Sequence, residues 1–365
     1  MSGTQAALIG AGASATTRTA IITQTGTFTA SFTGLHRFYV LGPGGSGAAL
    51  TGQSTTGGSV KGGGGGAFAY KECWLNEGDT VDIEIGAGGA SVTGSSNGND
   101  GGDTSVYRLG VMDVLCTGGG GGHFTATPGA IPTGGVGGAA IGGDVNFVGG
   151  SAGAMAALVA GNFYATGGAS AGSIYGNGHD SGDCSSNQTA SGGASVRFDS
   201  SDTVGASAGA GTGSQNGGSY STAGFNAFGF AHTALDNSTS PSIQAGISLP
   251  VGPLTSIVNP FLRLFGGGTN GVNSSSGDAI TSDAGAGAGS GAAISTFGGG
   301  DATSGKAGTC AGSGAAMTVS TAASALATSG AAGIGGGSGG AITKSTSASS
   351  ATSGKGGNGI VVVEW

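Results

Sequence analysis

Gly356-Gly357-Asn358-Gly359-Ile360-Val361-Val362-Val363-Glu364-Trp365 closes the chain, and its reading decides the fold. From Ile360 onward it has the β-branched and aromatic character of a strand. It ends a glycine field that opens after Thr117 with Gly118-Gly119-Gly120-Gly121-Gly122. Glycine has the most backbone freedom to lose on folding and no side chain to bury. So long a field becomes ordered only if its backbones pack together and satisfy each other's hydrogen bonds. A terminal strand that returns to a sheet built upstream pins both ends of the field. The expected fold is all-β: a small antiparallel β-sandwich formed from both chain ends, enclosing a long glycine-rich region of irregular strands and polyproline II-like segments.

Composition narrows the function classes. Of 365 residues 87 are glycine, and only 8 % are charged, against about 25 % in ordinary soluble domains. Mean hydropathy is +0.16 and net charge −8, so the low hydrophobicity and high charge of a disordered chain are both missing. Seven prolines and no sustained Gly-X-Y triplet exclude collagen. The acidic balance argues against nucleic acid or an anionic membrane as partner. No run approaches the ~18 apolar residues of a span, so no membrane insertion is expected. Residues 1–10 lack the basic and apolar regions of a secretory signal. Cys73, Cys116, Cys184 and Cys310 stand far apart, without CxxC spacing or a Cys/His cluster. They read as buried free thiols, and neither a metal nor a cofactor is expected.

Along the chain, residues 1–19 are small and polar and read as an arm or attachment segment. Residues 20–117, joined by 359–365, carry the strand patterns of the sandwich. Leu35–Leu41 and Ala67–Leu75 are bounded by turn residues, and Thr80–Ile85 alternates, with Val81, Ile83 and Ile85 on one face and Asp82 and Glu84 on the other. Residues 118–358 form a glycine-rich presentation region. There, glycine blocks alternate with short apolar islands, and Ile243–Phe265 is an extended apolar plug that Pro250, Pro253 and Pro260 keep from being a helix.

Motifs with catalytic overtones fail on context. Gly42–Gly47 has the form GxGxxG, but no helix-forming sequence follows it. Gly300–Ala307 approximates a phosphate-binding loop but has Ala307 where Ser or Thr should bind metal. Asp79, Asp82 and Glu84 read as solvated carboxylates. Asn97–Asp103 is the better ion candidate, although it lacks the Asp-x-Asp-x-Asp-Gly loop. His179, Asp180, Asp183 and Cys184 read as a polar loop tip rather than a nucleophile with its base.

The order of these features resembles a known family. The run Gly26–Gly47, then the glycine loop with Ala67–Leu75, then Gly78–Gly89, Gly102–Ser105, Gly118–Gly122, Phe265–Gly268 and the closing Gly356–Trp365 are similar to the glycine-rich domain of tail-fibre and tail-tip proteins of tailed bacteriophages. The resemblance covers roughly residues 26–365. Thr318–Ser329 and Thr343–Ser353 depart from it, because Ala, Ser and Thr dilute the glycine there. Membership would imply a virion protein that binds a bacterial cell-surface receptor, protein or glycan, beside other virion tail proteins. Analogy with fibre parts suggests a homotrimer, or a monomer capping one.

From the residues themselves, exposed aromatics on a glycine scaffold offer large contact area at low entropy cost. Tyr164, Tyr175, Tyr220, Phe225, Phe228 and Phe230 are the candidates for receptor binding, with gap filling between glycine layers as the other reading. The expected function is a tail-fibre or tail-tip adhesin; the alternative is a non-adhesive head or collar decoration. Ice binding would need regular Thr or Gly ranks, and none is read. A polysaccharide-degrading enzyme would need a supported carboxylate pair.

Overall fold

The computed structural model describes residues 18–52, 56–185, 187–195, 210–211, 249–250, 264–265, 271–274, 277–284, 287, 289–296, 300–319, 325–344 and 349–365. Among them the chain is all-β, with no helix and several sheets. Strands are numbered along the chain.

The first sheet runs in the order β1 (Thr19–Ile22), β26 (Ile360–Glu364), β3 (Gly34–Leu41), β6 (Phe68–Leu75) and β12 (Val145–Phe147), antiparallel throughout. The terminal strand therefore sits between two strands from the start of the chain, with Val362 opposite both Ile21 and Tyr39. The second sheet is β11 (Ala140–Ile141), β9 (Val111–Cys116), β8 (Thr104–Arg108), β7 (Thr80–Glu84) and β2 (Gly26–Thr29), also antiparallel. Phe38, Val40, Val361 and Val363 of the first sheet share one buried cluster with Phe28, Val81, Ile83 and Val114 of the second. The alternation along β7 follows the sequence pattern, with Val81 and Ile83 inside and Asp82 and Glu84 outside.

A third sheet, β10 (Phe124–Thr125), β5 (Gly58–Val60), β13 (Phe163–Ala165), β14 (Thr189–Ala190) and β15 (Ala210–Gly211), mixes parallel and antiparallel pairs. β16 (Leu249–Pro250) and β17 (Leu264–Phe265) form a two-stranded ribbon. Thus β4 (Ala49–Leu50) and β5, which fall within 20–117, pair with strands of 118–358.

The described residues between Val272 and Thr352 are organised as stacked coils. The fourth sheet is parallel, in the order β18 (Val272–Ser274), β20 (Ala293–Ser295), β22 (Ala316–Thr318), β24 (Ala341–Thr343) and β4 (Ala49–Leu50). The fifth is parallel too, with β19 (Ala279–Ile280), β21 (Ala302–Thr303), β23 (Leu326–Thr328) and β25 (Ser350–Thr352). From β18 to β25 consecutive strands alternate between these sheets, the pattern of a β-solenoid. Ala49, Ala293, Ala316 and Ala341 face Ala279, Ala302, Ala327 and Ala351 in one fully buried layer of methyl groups. Ile294, Met317, Ile342 and Leu50 point the other way, onto Val60 and Phe163. Antiparallel bridges from Thr93 to Thr352 and from Ser96 to Ala49 finish the stack.

Glycine segments fill the space between the sheets. Residues 61–67 show their rule. Lys61, Gly64 and Ala67 donate backbone N–H to His123, Gly120 and Thr117, whereas Gly63 and Gly66 donate to Ser338 and Gly335. Gly42, Gly45 and Ala48 in turn donate to Ala67, Gly64 and Lys61. Partners change with every residue, and in two of the three directions they recur at every third, as a helix of three residues per turn with no internal hydrogen bonds requires. In the remaining direction Gly62 and Gly65 donate to Thr166 Oγ1 and Gly150 O. A Cβ on Gly64 would land on the carbonyl oxygen of Val136, and one on Gly65 on that of Ser170. Only glycine allows so close an approach.

Buried hydroxyls tie the coils together. Ser290, Ser313 and Ser338 each accept a backbone N–H from the next coil, from Gly314 at 2.8 Å, Gly339 at 3.0 Å and Gly47 at 3.0 Å. Each also donates, to the carbonyls of Gly305, Gly330 and Gly354 respectively. Around them the sequence repeats as Gly-Ser-Gly followed by Ala or Gly, then Ala, at 45–49, 289–293, 312–316 and 337–341.

Candidate functional site

The aromatic candidates separate. Tyr164 lies on β13 and is 2 % exposed, packed with Met155, Leu158 and Cys184, while Asn162 Nδ2 donates to its hydroxyl at 2.8 Å. It therefore fills a gap and offers no surface, which corrects its place among the binding residues. Tyr175 is half-buried in the turn after segment 166–172, and its N–H donates to Ser173 Oγ at 3.3 Å. Tyr220, Phe225, Phe228 and Phe230 lie outside the described residues, as does most of the apolar plug.

The carboxylates are dispersed by use. Asp82 accepts from Thr27 Oγ1 at 2.7 Å, Glu84 from Ser105 Oγ and Tyr107 hydroxyl, and Asp79 from the N–H of Asn76. In the 97–103 cluster Asp100 accepts from Gly121 N–H at 2.7 Å and Asp103 from Gly118 N–H at 3.3 Å. Asp180 and Asp183 accept from Ser151 and Ala154 N–H at 2.6 and 2.7 Å. Asp283 and Asp301 do the same for Lys306 and Leu326. These acids mark the rim of the glycine lattice, where a segment's N–H groups would otherwise face no neighbour.

His179 to Cys184 is not a loop tip. Gly178, Ser181 and Cys184 donate N–H to Val148, Ser151 and Ala154, again at every third residue. His179 is 7 % exposed and Cys184 fully buried. Cys184 Sγ donates to Ala165 O at 3.2 Å, and burial pushes the thiol up to about 11. All four cysteines are free and buried. Burial likewise pushes Cys310 up to about 12 and raises Cys116 further, so none has the lowered pKa of a nucleophile. The two phosphate-loop lookalikes have spent their amides. Gly45 and Gly47 donate to Gly64 O and Ser338 Oγ, and Gly305 and Lys306 donate to Thr281 Oγ1 and Asp283.

A threonine rank does exist, contrary to expectation. Thr303, Thr328 and Thr352 stand in register on the fifth sheet, headed by Ile280. The neighbouring row contains Leu326 and Ser350, in register with each other, so hydroxyls do not make a plane.

The polar surface the sequence reading passed over is the outer face of the first sheet. Its end nearest the lattice is buried: Leu41, Phe68 and Ile360 pack on Ala171 and Cys310. Further along β3 and β6 the same face opens. Arg37 Nε donates to Glu72 Oε1 at 3.1 Å, and the Tyr70 hydroxyl donates to the same oxygen. These two bonds hold Glu72 below the usual carboxylate range, whereas burial and that carboxylate push Tyr70 up to about 12. Beyond them Trp74 stands opposite Leu35 and is 65 % exposed. The available signal was alternation: Phe68, Tyr70, Glu72 and Trp74 are spaced two apart on one strand.

Comparison with protein-family models and with curated proteins finds no match to this chain.

Proposed function

We propose that this chain is a virion structural protein, a tail-fibre or tail-tip adhesin that binds the surface of a bacterial host. In this reading residues 20–117 and 359–365 form a β-sandwich base, 118–358 the glycine-rich presentation region and 1–19 an attachment arm. The observation that carries it is the closure: β26 lies between β1 and β3, while the described segments of the field between are held backbone to backbone. Such a molecule is a stiff platform from which loops can vary without disturbing the frame. The uses found for the acids, thiols and glycine loops leave binding, not catalysis, as the role supported best. The sequence resemblance supplies the phage context. The implied partners are a cell-surface receptor, protein or glycan, and neighbouring tail proteins, with a homotrimer, or a monomer capping one, as the assembly that analogy suggests.

Adsorption tests it. The purified protein should bind host cells saturably and reduce infection when added ahead of the phage. Protein that neither adsorbs nor competes would be a head or collar decoration instead.

A further inference from the structure

The outer face of the first sheet has an exposed end that folding does not explain. Trp74 is one of two tryptophans; the other, Trp365, packs against the main core. Trp74 keeps 65 % of its surface in water beside Leu35, itself 40 % exposed. Burying an aromatic of this size would contribute about 2 kcal/mol or more, so its exposure leaves stability unclaimed. One strand step away lies the Arg37–Glu72 pair, whose side chains are 45 % and 39 % exposed. A guanidinium has five N–H donors and a carboxylate about four acceptor sites. The bonds from Arg37 and Tyr70 use one carboxylate oxygen, so the pair still presents planar donors and acceptors to solvent. Register places Leu35 opposite Trp74 and Arg37 opposite Glu72, and diagonal neighbours in a sheet lie about 7–8 Å apart. That is the span of one sugar ring with its hydroxyls.

We propose that Trp74, Arg37 and Glu72 form a saccharide-binding platform for a neutral pyranose. The apolar face of the ring stacks on the indole, and adjacent hydroxyls donate to Glu72 and accept from Arg37. The paired charges cancel, which favours a neutral sugar over an acidic one. Tyr39 and Tyr70, with ring centroids 5.1 Å apart, wall the platform on the lattice side. The proposal rests on the adhesin reading for its biological meaning, since it names the receptor class as glycan, but its chemistry can be tested alone.

The full chain is titrated with glucose, galactose, mannose, N-acetylglucosamine and their short oligomers, following tryptophan fluorescence and calorimetry. At least one sugar should bind saturably with a change in emission. Trp74→Ala should weaken that binding at least tenfold, and Glu72→Gln should weaken it too, with both variants melting like the parent. No saturable response to any sugar, or unchanged binding by Trp74→Ala, overturns the proposal. Loss of cell adsorption by Trp74→Ala without any sugar response also overturns it and points to a protein receptor. Sugar binding without cell adsorption leaves the platform standing and removes the adhesin reading instead.

Discussion

Gly64 and Gly26 show why glycine is required in some places and incidental in others. A Cβ on Gly26 meets nothing within 4 Å, whereas one on Gly64 strikes the Val136 carbonyl. The obstacle is backbone, which cannot rotate away as a side chain would. Overpacking costs about 1–3 kcal/mol where side chains can adjust, so Gly64→Ala should lose at least about 3 kcal/mol. Gly26→Ala should shift stability by less than about 1 kcal/mol. Denaturant melts of the two variants check this. A mild Gly64→Ala would mean the segments are not packed as described. The aspartates follow the same logic from the other side: carboxylates at the rim answer N–H groups that the lattice leaves facing outward, which accounts for much of the acidic composition without a site.

The serine ladder does for the coils what β26 does for the ends. Ser313 accepts from Gly339 N–H at 3.0 Å and donates to Gly330 O at 2.5 Å, fully buried. Ser313→Ala leaves the Gly339 N–H without its partner, which should cost about 1–3 kcal/mol, whereas exposed Ser91→Ala should change stability by less than about 0.5 kcal/mol. Urea midpoints of both variants measure it, and equal effects would remove the ladder's role. How much of this was legible varied by element. The alternation of Thr80–Ile85 and the β-branched run at 360–363 announced strands because side chains declare a face. The Ala, Ser and Thr at 318–329 and 343–353 read as dilution of a glycine pattern, yet they include strands β23 and β25. The recurring Gly-Ser-Gly was the available signal, but among 87 glycines such a triplet carries little information alone. Tyr164 was misplaced because an aromatic between glycine blocks looks the same whether it caps a loop or fills a layer.

For the molecule as a whole, burial of side chains and pairing of backbones are divided between regions. Two antiparallel sheets share an apolar core of usual kind, and Leu41, Phe68 and Ile360 on the back of one of them pack onto the glycine segments. The coils hold an alanine layer, and the segments between rely on hydrogen bonds from chain to chain. Among the described residues the lattice segments take most of their backbone partners from distant parts of the sequence, local turns such as Gly336 N–H to Gly333 O apart, so each depends on several neighbours. Loss of the closing strand should therefore open far more than one sheet. Hydrogen exchange on the intact protein measures this most directly, comparing amides of Gly63, Gly64 and Gly66 with those of Val361, Val362 and Val363. If the glycine segments are locked by their neighbours and closed by β26, both sets exchange only through the same global opening, with equal protection. Glycine amides exchanging at open-chain rates while the valines stay protected would contradict that picture.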